Sequence, residues 1–164
     1  MKIEKTNAMR LLDSEGIHYN YYDVRSDNRF NDDTDGLMLA QILGKDKERV
    51  FKTLVCKANI GEYIVFMIPG GSTLDLKKAA KCANVKSLEM IKQKDLLPVT
   101  SYIHGGCSPI GMKSTFRTFI EESAMLYDDI CFSAGKRGMQ IELNSDLLRE
   151  FLIKYNVCEY GDLI

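Results

Sequence analysis

Thr53-Leu-Val-Cys-Lys-Ala58 and Tyr63-Ile-Val-Phe-Met-Ile68 are two apolar runs, and Asn59-Ile-Gly-Glu62 stands between them. Short runs rich in β-branched and aromatic residues read as strands. A four-residue connection carrying Asn and Gly reads as the turn of a hairpin. A second hairpin is predicted downstream, Ile130 to Ser133 and Met139 to Leu143 across Ala134-Gly-Lys-Arg-Gly138. The middle of the chain is therefore β.

Outward from these hairpins the periodicity turns helical. Thr6 or Asn7 can cap a helix through about Glu15, with Met9 and Leu12 at helical spacing and Gly16 as the stop. His18 to Val24 reads as a strand. Asp23 to Asp35 carries five acids against two arginines and is a solvated loop. Leu37 to Leu43 is a short helix ended by Gly44, and Leu76 to Ala83 is a helix with lysines on its outer positions. Asp95 to Thr100 reads as a short helix broken at Pro98. His104 to Gly111 is a glycine-rich loop, Thr115 to Ile120 a strand, and Ser145 the cap of a last helix to about Tyr155. This order is no regular βαβ alternation. It predicts one α+β domain over residues 1–164, with a mixed sheet curled toward a partial barrel and flanking helices.

Composition narrows the function. With 164 residues, 45% of them hydrophobic, one core is expected. Lys+Arg number 22 against 23 Asp+Glu, so a protein that coats polyanions is excluded, though a local basic face is not. No apolar run approaches the roughly 18 residues of a membrane helix, and the first residues lack the apolar core of a signal peptide. A cytoplasmic protein is expected. The five cysteines, Cys56, Cys82, Cys107, Cys131 and Cys158, are odd in number, widely spaced and form no CxxC. That pattern fits free thiols in a reducing compartment, and neither a metal nor a cofactor is expected. Lys45 to Lys94 holds eleven Lys/Arg against five acids, a nucleic-acid footprint that includes Lys77, Lys78 and Lys81.

The candidate site residues follow. Gly106-Cys-Ser-Pro-Ile-Gly111-Met-Lys113-Ser114 has one residue too many for a nucleotide phosphate loop, and a strand follows it where that loop needs a helix. Nucleotide hydrolysis is rejected. The Gly105-Gly106 loop can still present backbone N–H groups to an anion or a carbonyl oxygen. Lys136 and Arg137 lie on a glycine-flanked turn. On the strand after it, Met139, Ile141 and Leu143 share one face, so Gln140 is expected to point outward, into solvent or a cleft. Cys107 and His104 lack the surrounding signature of a nucleophile and its base. Lys52 stands at the start of an apolar strand, where it either reaches solvent or aims at phosphate or ribose oxygens.

Five segments, in order and at matching spacing, resemble the YbaK/EbsC family of aminoacyl-tRNA deacylases. They are Lys5-Thr-Asn-Ala-Met-Arg-Leu-Leu12, Val50-Phe-Lys-Thr-Leu-Val55, Leu74-Asp-Leu-Lys-Lys-Ala-Ala-Lys81, Gly105-Gly-Cys-Ser-Pro-Ile-Gly111, and Ser133-Ala-Gly-Lys-Arg-Gly-Met-Gln-Ile-Glu-Leu143. The resemblance implies trans-editing of mischarged tRNA: Cys-tRNA(Pro) first, with Cys-tRNA(Cys) as a second substrate. It also implies cleavage by the substrate's own thiol. It points to Lys52 as the essential lysine, with Gly105 and Gly106 beside the reacting ester. Thr53, Ser133, Gln140, Lys136, Arg137 and Tyr22 would bind substrate, and Lys77, Lys78 and Lys81 the tRNA backbone. The acceptor end of an aminoacyl-tRNA is the implied partner, with prolyl-tRNA synthetase a second one; DNA and membranes are not. Val24 and Gln140 stand where some members have Tyr and Asp. Ala-tRNA(Pro) or another small mischarged amino acid is an alternative substrate, and a non-catalytic tRNA- or synthetase-binding module is an alternative class.

Overall fold

The protein is described here by a computed structural model of residues 4–164; the domain expected over 1–164 begins outside the described residues. The first hairpin forms as the pattern predicts. β2 (Phe51–Ala58) and β3 (Tyr63–Pro69) pair antiparallel from Phe51↔Pro69 to Lys57↔Tyr63. Two short strands that the sequence does not announce extend the sheet. These are β4 (Leu88–Met90), antiparallel to the far end of β2, and β8 (Cys158–Gly161), parallel to β5 (Thr118–Glu121). The order is β4-β2-β3-β5-β8, with β3 and β5 parallel. The strand predicted from Thr115 starts at Thr118, where β3 and β8 first flank it.

The second hairpin, β6 (Ile130–Ser133) and β7 (Met139–Leu143), takes β1 (Asn20–Asp23) as its outer strand, in the order β1-β7-β6. The two sheets meet at one parallel bridge, Val50↔Cys131, and do not close. The result is the α+β fold with a partly curled sheet that the element order predicted.

Helices cover the faces. α1 (Asn7–Ser14) is capped by the Thr6 hydroxyl, which accepts from the Met9 amide, and it buries Ala8, Met9 and Leu12. α5 (Ser145–Ile153) buries Leu148, Phe151 and Leu152 in the same core, against Ile130, Phe132, Met139 and Ile141 of the second hairpin. Asn144, not Ser145, caps α5. The extended Asn144 aims its side-chain oxygen at the amides of Asp146 and Leu147, and the Ser145 hydroxyl instead accepts from Tyr160. α3 (Leu76–Ala83) covers the opposite side of the first hairpin, over Cys56, Ile64, Phe66 and Phe119. α4 (Gln93–Thr100) runs through Pro98 instead of breaking there. The carbonyl that loses its donor belongs to Lys94, in the exposed first turn, where water can replace it.

α2 (Gly36–Leu43) is capped by Asp35 and ends at Gly44 with φ +66. It needs a glycine at its first position. A Cβ on Gly36 would lie 2.7 Å from the Cα of Gly70, the residue after β3. This contact seats α2 against the start of β2, with Ala40 on Val50 and Cys131.

Candidate functional site

Strand alternation and the single bridge between sheets set the site. On β7, Gln140 pairs with Tyr22 on one side and Ser133 on the other, so three side chains stand in one row. Val50 bridges Cys131 in parallel, and Lys52 and Ser133 each follow two residues further along their strands, on the same side as these two. Lys52 shares the face of Val50, which α2 covers. The row Tyr22–Gln140–Ser133–Lys52 thus spans β1, β7, β6 and β2.

Three members of this row hold unspent hydrogen-bonding capacity. The Gln140 side chain is 4% exposed, and its Oε1 has no partner. The alternation allowed solvent or a cleft; at this burial solvent is excluded, and the amide oxygen is left to whatever enters beside it. The Ser133 oxygen accepts the Gly135 amide at 3.0 Å, which leaves its own hydroxyl proton to donate. The Lys52 ammonium makes no ion pair or hydrogen bond among the described residues. Burial pulls its ammonium below the usual lysine range, and Asp35 offsets this only in part. An unpaired cation beside a free hydroxyl proton and a free amide oxygen suits a ligand with both an anionic and a donor group.

The next row is satisfied. Glu142, 5% exposed, accepts from Asn20 at 3.1 Å, Tyr22 at 3.0 Å, Lys45 at 3.0 Å and Arg49 at 3.3 Å. Desolvation raises its carboxyl pKa, but Asn20, Lys45 and Tyr22 outweigh that and hold it below the ordinary glutamate value. Tyr22 is therefore committed to Glu142 through its hydroxyl. Neither Glu142, which the alternation puts on the face of Gln140, nor Asp35 stands out as a site residue from the sequence. Only the alternation on β7, which puts Glu142 beside Gln140, could have pointed to the former.

The glycine loop packs on the other face of β2, the one Val55 occupies. Cys107 is buried with Val55 of β2, Val65 and Leu96. Gly106 donates its amide to Ile103, so that N–H is spent. The amides of Gly105, Cys107 and Ser108 have no acceptor among the described residues. Gly105 has φ +84, and a Cβ there would lie 2.0 Å from Nη1 of Arg137. The Arg137 guanidinium donates to the carbonyls of Asp32 at 2.8 Å, Asn31 at 3.4 Å and His104 at 3.5 Å. Lys136 pairs with Glu4. Neither cation of the turn is idle, in contrast to Lys52.

Thr53 and Lys52 alternate, so their side chains lie on opposite faces of β2, and the Thr53 hydroxyl is buried without a partner. Burial pushes the Cys107, Cys131, Cys56 and Cys158 thiols up to about 12. The basic stretch is divided by the fold. Lys45 and Arg49 serve Glu142, Lys57 lies over the Tyr63 ring, and Lys78 pairs with Asp162 and the Ile164 carbonyl. Lys77 and Lys81 stay exposed on α3, which covers the same face of β2 as Lys52.

The profile of the aminoacyl-tRNA editing domain matches residues 37–151, which contain Lys52, the glycine loop, Ser133 and Gln140. The chain belongs to this family. Within the editing-domain family it is similar to EbsC of Enterococcus faecalis, named as a candidate Cys-tRNA(Pro)/Cys-tRNA(Cys) deacylase. The two are 47% identical over 141 residues, 85% of this chain and 84% of that protein. It is also 24% identical over 126 residues to the proline–tRNA ligase of Thermosipho melanesiensis, covering 77% of this chain and 21% of the ligase. In three dimensions it matches the crystal structure of a candidate trans-editing enzyme for prolyl-tRNA synthetase, with a TM-score of 0.77 at 19% identity over 98% of both chains. At that identity the match shows the fold. No helix of the described residues is long and apolar enough to cross a membrane.

Proposed function

We propose that this chain is a trans-editing deacylase that clears Cys-tRNA(Pro), with Cys-tRNA(Cys) as a second substrate, in the cytoplasm and beside prolyl-tRNA synthetase. The observation that carries this is the unspent row. Lys52, Ser133 and Gln140 offer a point cation, a donor and an acceptor, and among the described residues no base accepts the Ser133 hydroxyl proton to make it a nucleophile. The substrate is an amino acid esterified to the ribose of the terminal adenosine. Lys52 holds a phosphate or ribose oxygen. Gln140 Oε1 accepts from the amino group, and the open amides of the glycine loop receive the ester carbonyl oxygen as it gains charge.

The reacting thiol belongs to the substrate. Its thiolate attacks the ester carbonyl carbon, the bond from that carbon to the ribose oxygen breaks, and a cyclic thiolactone leaves. The ribose oxygen takes a proton to balance the one the thiol lost. The protein's task is to hold the two ends of one cysteine in this geometry. The high pKa of the buried Cys107 thiol supports the assignment.

The test is deacylation of Cys-, Ala- and Ser-tRNA(Pro) and Cys-tRNA(Cys), with and without the synthetase. Cys-tRNA should react fastest, and an S-methylcysteinyl ester, which cannot form a thiolate, should persist. Equal cleavage of the S-methyl ester would overturn the mechanism. Tight tRNA binding without turnover would overturn the enzyme.

A further inference from the structure

Arg137 matches a family position where substrate binding is implied, yet its geometry gives it other work. Its guanidinium contacts carbonyl oxygens alone: Asn31 and Asp32 in the acidic loop, and His104 at the start of the glycine loop. It makes no ion pair among the described residues. These carbonyls come from two segments more than 70 residues apart in sequence. Asn31 and Asp32 precede Asp35, which caps α2 and bears on Lys52. His104 precedes Gly105, Cys107 and Ser108, whose amides are open.

We propose that Arg137 is a positioning residue, a clasp that fixes the glycine loop, with its open amides, to the acidic loop that leads to Asp35 and Lys52. The proposal rests on the deacylase reading for its kinetic consequence. Three features support it. The planar fork of a guanidinium can serve two segments at once, as an ammonium cannot. Gly105 leaves no Cβ where Nη1 lies; a Cβ would come within 2.0 Å. And a Cβ on Gly106 would lie 3.2 Å from the Arg137 amide nitrogen, so loop and turn are packed backbone to backbone. The guanidinium thus sits where the loop has been cut back to receive it. Arg137 touches no reacting atom; it sets where the carbonyl-binding amides stand, and misplacement by about 1 Å costs on the order of 10²-fold in rate.

The experiment uses the full chain as Arg137→Ala and Arg137→Lys, assayed with Cys-tRNA(Pro). Both should lose kcat by about 10- to 100-fold while KM stays within about twofold, since an interaction realised only at the reacting geometry acts on kcat. Millimolar methylguanidinium should restore part of the Arg137→Ala rate. A raised KM with kcat intact would make Arg137 a substrate contact and overturn the proposal; so would unchanged kinetics. Amide hydrogen exchange gives a readout independent of turnover. The Gly106 amide, bonded to the Ile103 carbonyl at 3.0 Å, should exchange faster in Arg137→Ala than in the wild type, with α1 and α5 unchanged. Equal exchange at the loop would overturn the clasp. Absence of wild-type deacylation combined with faster loop exchange would overturn the function and leave the clasp standing.

Discussion

Two neighbouring rows of one sheet face make opposite use of polar groups. In the Glu142 row, a buried carboxylate accepts from Asn20, Tyr22, Lys45 and Arg49. In the Gln140 row, two residues away on the same strand, a buried amide oxygen, a hydroxyl proton and the Lys52 ammonium go without partners. Both rows are polar, and each is centred on a buried residue of β7 with mostly half-buried or exposed partners around it. A buried polar group without a partner costs stability, so an unsatisfied row persists where something outside the chain completes it. The satisfied row serves the fold, and in the function proposed above the unsatisfied row serves the substrate.

Removing Lys52 tests this contrast most severely. Lys52→Ala should cut deacylation by about 10²- to 10³-fold, the range for loss of one preorganised charge-stabilising group. Its thermal midpoint should not fall, because the ammonium is held below its usual pKa with no partner to lose. The folded state binds the Lys52 proton less tightly than the unfolded state does. This cation's contribution therefore turns more favourable to folding as pH rises through its lowered pKa toward 10.5. A fold that collapses in Lys52→Ala would erase the distinction between the rows.

Glu142→Gln should do the reverse. It should lower stability by about 2–3 kcal/mol in urea titration, since Lys45 and Arg49 would face a neutral group in a buried layer. Glu142 titrates below 4.5 in the fold, so its contribution is present at neutral pH and is lost as pH falls through that lowered value. The variant should be correspondingly less acid-sensitive than wild type. A smaller effect is expected beside the unsatisfied row. Cys107→Ser should keep kcat/KM within about tenfold, a barrier change of roughly 1.4 kcal/mol. A dead variant would place a protein nucleophile in the loop. The smallest effect belongs to Gln140→Met, which should stabilise the fold by about 1 kcal/mol by removing an orphan acceptor. It should also raise KM for the charged tRNA.

The elements carried by strong period were legible in the sequence. Both hairpins, α3 and the Gly44 stop of α2 follow from alternation, helical spacing and turn chemistry. β4 and β8 were not, because three- and four-residue strands hold too few alternations to register and exist by pairing with a longer neighbour. Among the site residues, Lys52 stood out as a cation at the start of an apolar strand. The burial of Gln140 did not, since alternation tells which side chains share a face but not whether a helix covers it. The clasp of Arg137 was also hidden, because its partners are backbone carbonyls, which leave no mark on residue types.

The pairing of β1 with β7 has a bearing on how the chain is made. Asn20 lies opposite Glu142, a separation of 122 residues. On a ribosome adding about 5–20 residues per second, the first strand waits roughly 6–25 seconds for its partner to be synthesised. Until then Tyr21 and Tyr22 lack their partner strand, and Met9 and Leu12 of α1 have only Phe51, Met67 and Ile120 of the first sheet, without the second hairpin and α5 that complete their core. Non-local pairing of this kind slows folding and prolongs the exposure of apolar surface. The nascent protein thus depends on its last third to shelter its first.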